Sequence, residues 1–292
     1  MFRPLLSLLL LATVFLTGGK AIARDKPVIV TSFSVIGDWT QVIAGKEVEL
    51  VNIIPPKSEA HGFQLSPSHA KSLRKAALVV AMNPELEPWL EAWAKANPDH
   101  GKILWLYPTP ETAGQAADPH AWISPPEVVA MTKKLAEAIR SIDPSIDTQI
   151  TYNQYLKEIN QVDSELRSLF TKLPPDQRAL ISQHANLGFF ARHYGLKVPG
   201  TLLLSGAAES ADPSARHFSE LLSLIRREKI RVVVSDDGQN DAFARRLTED
   251  AGIPPPLALS FEYLQPAGQP GDSWTSMMLN NGRRLHQALS GR

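Results

Sequence analysis

Residues 144–172, "PSIDTQITYNQYLKEINQVDSELRSLFTK", form a stretch without glycine and without a proline after its first residue. Ile159, Val162, Leu166 and Leu169 recur at three- and four-residue spacing, so one face is apolar and the rest polar, the pattern of an amphipathic helix. At 1.5 Å per residue the helix would run about 40 Å. The segment "LPPDQ" closes it. An ordinary helix inside one domain is the alternative. What favours a connector is the sequence on either side, where strand-like and helix-like stretches alternate twice over.

Before the helix, "PVIVTSFSV" and "EVELVNIIPP" read as strands around a helix near "GDWTQVIAG". Ser66 is placed to cap a helix opening at Pro67, and "ALVVAM" follows as a buried strand. After it come "RALISQ" and "IRVVVSD" as strands, "LGFFARHYG", "PSARHFSELLSLIRREK" and "AFARRLTEDAG" as helices, and "PLALSF" as a last strand. Such alternation predicts α/β architecture with mainly parallel sheets. The economical division is an N-terminal α/β lobe over 24–143, a linker helix over 144–172 and a C-terminal α/β lobe over 173–292.

Residues 1–23 read as a cleaved signal peptide. Arg3 is basic, "LLSLLLLATVFL" is apolar but too short to span a bilayer, and "AIA" supplies the small-residue exit. The expected location is the periplasm. The chain has no cysteine, which excludes both a lipid anchor at the cleavage site and any disulfide. A mature chain of about 270 residues can bury enough apolar surface to fold without one. Thirty basic residues balance 30 acidic ones, so there is no electrostatic footprint for nucleic acid.

Four residues fall at or just beyond the carboxyl ends of predicted strands or in the loops that follow: His61 in "SEAHGF", His120 in "DPHAWISP", His184 in "ISQHANLG" and Glu262 in "LSFEYL". In open α/β sheets that edge binds ligands. Three neutral imidazoles and a carboxylate match the donor set of a four-coordinate zinc ion. The residues lie far apart in sequence and form no local metal motif, so chemistry alone leaves each of them open as a surface or hydrogen-bonding group. The other histidines are assigned to helices and loops: His69, His193, His217 and His286 to helices, His100 to a polar turn. No phosphate loop or nucleophile elbow is present.

"EAHGFQLSPSHAKSLRKAALVVAMNPELEPWL", "DPHAWISP", "ISQHANLGFFARHYGLKVPG" and "DPSARHFSELLSLIRREKIRVVVSDDGQNDAFARRLTEDAG" together resemble the periplasmic metal-specific solute-binding proteins of ABC importers, cluster A-I (ZnuA/TroA-like), whose members carry zinc or manganese. The resemblance covers essentially the whole mature chain. It implies two lobes joined by a rigid helix, with a metal in the cleft between them and delivery to an ABC permease in the inner membrane. By position the ligands would be His61, His120, His184 and Glu262. Pro119, Trp122 and Pro125 would fix the loop of His120, and Asp118 would orient the other nitrogen of its ring.

Three departures from the family pattern stand out. Glu262 lies where aspartate is usual, which leaves Asp237 or Asp272 as alternative fourth ligands. The loop "YPTPETAGQAAD" lacks the histidines and acids with which zinc-specific relatives collect metal, so capture would rest on the site itself or on a periplasmic metallochaperone. The disulfide of some relatives is impossible. His184 points to zinc over manganese, which favours more carboxylate oxygen. The expectation is therefore a monomeric zinc-binding protein and not an enzyme, with manganese binding as the alternative. A zinc hydrolase using Glu262 as a base, and a structural or adhesive protein, are remoter readings.

Overall fold

The computed structural model describes residues 25–107, 118–203 and 214–291. The signal-peptide stretch, most of the loop before His120 and residues 204–213 lie outside the described residues.

The first half runs β1 (Val28–Phe33), α1 (Ser34–Ala44), β2 (Glu49–Ile54), α2 (Pro67–Lys75), β3 (Leu78–Ala81), α3 (Pro88–Ala96), β4 (Lys102–Trp105) and α4 (Pro125–Ile142). Next comes α5 (Thr148–Thr171), followed by β5 (Ala179–Ser182), α6 (Gly188–Tyr194), β6 (Lys197–Thr201), α7 (Ala215–Glu228), β7 (Val234–Asp236), α8 (Ala242–Ala251), β8 (Leu257–Leu259) and α9 (Trp274–Leu289).

All strand pairs are parallel. The first sheet has the order β2-β1-β3-β4. In the second half β5 pairs with β6 and β7 with β8, and a parallel bridge between Ile181 and Val233 joins the two pairs. The resulting run, β6-β5-β7-β8, repeats the order of the first sheet. In each half the chain leaves its first strand to one side and returns past it to the other. That reversal opens a crevice at the carboxyl edge, beyond β1 and β3 in one half and β5 and β7 in the other.

Local sequence accounts for the element ends. Ser66 accepts a hydrogen bond from the His69 amide while the His69 ring accepts one from the Ser66 amide, a capping box that starts α2. The long helix begins at Thr148, four residues later than its expected start. Asp143 folds the intervening turn by accepting from both the amide and the hydroxyl of Ser145, and Asp147 caps the helix through the Gln149 amide. Pro125, read from sequence as a loop stiffener, instead opens α4, where a missing N–H costs nothing.

The apolar stripe of α5 is buried through Tyr155, Ile159, Val162, Leu166 and Phe170. It packs against α1 and α4 from the first half and α6 and α9 from the second. The closest approach is to α9 at Gly282, where a Cβ would fall 2.4 Å from Leu166 Cδ2. Only glycine admits the leucine there. No helix among the described residues is long and apolar enough to cross a membrane.

This contact generates a test. Leu166→Ala should cost about 2–5 kcal/mol in denaturant unfolding by opening a cavity at a fully buried position. Gly282→Ala should be better tolerated in that background than in the wild type, because the added methyl enters the vacated space.

Candidate metal centre

The four expected residues converge. His61 lies in the turn after β2, His120 just before a short 3-10 turn over Ala121–Ile123, His184 two residues beyond β5, and Glu262 three beyond β8. One ligand atom from each lies within 4.8 Å of every other. The Nε2 atoms of His61 and His120 are 3.1 Å apart. Glu262 Oε1 is 3.5 Å from His184 Nε2 and 3.8 Å from His120 Nε2, and Oε2 is 3.7 Å from His61 Nε2. Tetrahedral zinc with bonds of about 2.0–2.1 Å separates its ligand atoms by about 3.3 Å, and the ligand atoms here, 3.1 Å apart at His61 and His120 and all within 4.8 Å of one another, are close enough to gather on one ion.

Carboxylates fix the orientation of two rings. Asp118 Oδ1 lies 2.8 Å from His120 Nδ1 and also accepts the His120 backbone N–H. Asp236 Oδ2 lies 2.8 Å from His184 Nδ1. A carboxylate can only accept, so each Nδ1 carries the hydrogen and each Nε2 presents its lone pair to the cluster. Asp118 itself is seated against Gly188, where a Cβ would come 2.5 Å from Asp118 Oδ2.

Asn186 donates through Nδ2 to Glu262 Oε1 at 2.8 Å and to Asp236 Oδ1 at 3.1 Å. Glu262 is 2 % exposed, and its Oε2 has no hydrogen-bond partner among the described residues. That buried oxygen lies 3.7 Å from His61 Nε2, and a bound cation would satisfy it.

Burial holds the His61 imidazole below its ordinary pKa, opposed by the charge of Glu262. For Glu262 burial works against ionisation. Charge on His120, His184 and His61, with the Asn186 donor, outweighs it and holds the carboxyl below its usual range.

The segments that carry the cluster are tied together. Trp122 Nε1 donates to the Phe261 carbonyl at 2.7 Å, and Trp274 Nε1 donates to the Trp122 carbonyl at 2.7 Å. The Trp274 amide donates in turn to Asp38 on α1. Lys57 N–H donates to the Leu264 carbonyl, and the Leu264 amide donates to Ser34 Oγ.

The alternative fourth ligands lie outside the cluster. Asp237 accepts from Gln265, and Asp272 from the Gly268 amide. The remaining histidines are engaged elsewhere: His193 with Asp163, His217 with the Thr201 and Leu202 carbonyls, His286 against Phe170 and His100 against Trp93. The sequence reading missed Asp236 and Asn186. The one available signal was that Asp236 ends "IRVVVSD", at the same strand edge as the ligands.

This geometry defines a class: an α/β protein with two sheets of the same strand order and a buried histidine and carboxylate cluster suited to one divalent cation. The family described as "Zinc-uptake complex component A periplasmic" matches residues 29–288, and the chain belongs to it. The family consists of metal-binding solute-binding proteins of ABC importers, which work with a membrane permease outside the cytoplasm and are not enzymes.

The chain is 27% identical to the iron-binding protein YfeA of Yersinia pestis, over 77% of this chain and 74% of that protein. It is 23% identical to the manganese ABC transporter substrate-binding lipoprotein PsaA of Streptococcus pneumoniae, over 92% of this chain and 90% of the relative. Among solved structures it is similar in fold to the periplasmic zinc binding protein TroA from Treponema pallidum, with a TM-score of 0.80 at 22% identity over 90% of this chain and 99% of that one.

The carboxylates behind the rings should matter to metal binding more than to folding. Asp118→Ala and Asp236→Ala are each expected to weaken metal binding about 10–100-fold in chelator competition, with far-UV circular dichroism unchanged.

Proposed function

We propose that this chain captures one zinc ion through His61, His120, His184 and Glu262 and delivers it to an ABC permease in the inner membrane. The observation that carries the reading is the donor set itself: three imidazoles and one carboxylate whose ligand atoms lie within 4.8 Å of one another. Imidazole suits zinc, whereas manganese favours carboxylate and carbonyl oxygen. The relatives bind iron, manganese or zinc by their names, so the choice rests on this chain's own side chains.

The division proposed from sequence accompanies this reading. Residues 24–143 and 173–292 act as two lobes, α5 is the stiff connector packed on both, and the ion sits in the cleft between them. Residues 1–23 direct export to the periplasm and are removed, leaving a monomer that is loaded directly or by a periplasmic metallochaperone. Glu262 reaches the cluster with one methylene more than aspartate, and the bond from Trp122 to Phe261 anchors its backbone.

The test is zinc and manganese affinity of the mature protein beside alanine variants of the four residues. One zinc per chain, bound at least tenfold tighter than manganese, lost in each histidine variant and weakened in Glu262→Ala, is the expected result. Unchanged affinity in Glu262→Ala would reject the fourth ligand, and a preference for manganese would reject zinc.

The pH dependence has a defined sign. An imidazole must lose its proton to bind metal, so zinc affinity should weaken between about pH 7.5 and about pH 5.5. His61, held low by burial, should yield to proton competition only in the lower part of that interval. Equal affinities at the two pH values in an isothermal titration would contradict ligation by histidine.

A further inference from the structure

We propose that Asn186 sets how many oxygens Glu262 offers to the metal, and thereby makes the site prefer four-coordinate zinc over cations of higher coordination number. The inference rests on the four-ligand reading above and deepens it.

Asn186 is 2 % exposed and lies two residues after His184, in the turn between β5 and α6. Its amide nitrogen faces two carboxylates, Glu262 Oε1 at 2.8 Å and Asp236 Oδ1 at 3.1 Å. Ionised carboxylates accept only, so both N–H bonds of the amide must point at them and the amide cannot be reversed. The other Asp236 oxygen holds His184 Nδ1. A single neutral side chain therefore couples the carboxylate that orients one ligand to the carboxylate that is another.

The two Glu262 oxygens are left in different states. Oε1 gives electron density to the Asn186 donor, and Oε2 is buried with no hydrogen-bond partner among the described residues. Both oxygens face the imidazoles, Oε1 at 3.5 Å from His184 Nε2 and 3.8 Å from His120 Nε2 and Oε2 at 3.7 Å from His61 Nε2, but only Oε2 keeps its full basicity toward a metal. The Asn186 bond makes Oε1 the weaker donor of the two, so the carboxylate does not offer its oxygens equally. One oxygen with three imidazoles closes a tetrahedron. Hard cations that prefer six or more oxygen-rich ligands gain from a bidentate carboxylate, which a hydrogen bond to one of its oxygens disfavours.

Metal-free mature protein, as wild type, Asn186→Ala and Asn186→Leu, would be titrated with zinc and with manganese against a chelator. Cobalt(II) would be added to each and its visible absorption recorded. Four-coordinate cobalt absorbs strongly and six-coordinate cobalt weakly, so the band reports coordination number apart from affinity. Leucine keeps the volume of the side chain should alanine fail to fold.

In the variants zinc should weaken about tenfold or more while manganese holds or tightens, and the cobalt band should fall. Equal losses for zinc and manganese with an unchanged cobalt band would make Asn186 a packing residue only, and unchanged affinities would remove it from the site; either overturns the inference. A wild type with no preference for zinc and a weak cobalt band would instead overturn the four-ligand reading, and this inference with it.

Discussion

The hydrogen bond from the Trp122 indole to the Phe261 carbonyl is the contact on which the metal centre depends. It joins the segment that carries His120 to the segment that carries Glu262, across 139 residues of sequence. Both indoles of the relay are fully buried, so each N–H would lose its hydration without this partner. The Trp274 amide extends the tie to Asp38, whose carboxyl burial pushes up to about 6. Aromatic groups with one polar handle thus fasten to each other the segments that carry the clustered residues.

Of the clustered residues, His184 follows the central strand β5, while His61, His120 and Glu262 follow the edge strands β2, β4 and β8. In each half the crevice opens where the order reverses, and each ligand follows a strand on the carboxyl side. His184 and Asp236 leave the second sheet from its two central strands, β5 and β7, which makes the contact between them nearly obligatory. Helix α5 packs on helices from both halves. Fold and site are therefore one constraint, since displacing α5 would pull apart loops that the tryptophans hold together.

Much of this was legible in the sequence, and the exceptions have physical causes. The helix over 144–172 appeared with its core face right, because periodicity records burial directly, while its start was displaced by side-chain caps that periodicity does not record. Strand β6, "KVPGT", carries a proline and a glycine that argue against a strand; it is an edge strand, where an absent N–H is harmless, and a Cβ at Gly200 would come 2.9 Å from Leu224 Cδ2. The four clustered residues were visible as imidazoles and a carboxylate after strands. Asn186 was not, because an asparagine in a turn has an ordinary explanation and its two partners lie 50 and 76 residues away. Long-range hydrogen bonds between single side chains leave no period in the sequence.

Relatives with this fold are named for iron, manganese and zinc, so the fold cannot be what chooses the metal. Neither can raw affinity, since a site of nitrogen and oxygen donors ranks divalent cations in much the same order wherever it occurs. What can differ between such proteins is donor count, donor type and the freedom of the carboxylate. In the proposed site the count is three histidines, two of which have their usable nitrogens fixed by carboxylates behind the ring. The freedom of the one acidic ligand is restricted by a buried amide that carries no charge. Replacing that amide with a cation would compete with the metal for Glu262, and replacing it with an acid would add a donor. A neutral donor restrains the carboxylate while leaving it available, which is the requirement for a protein that must hold its cargo selectively and still release it.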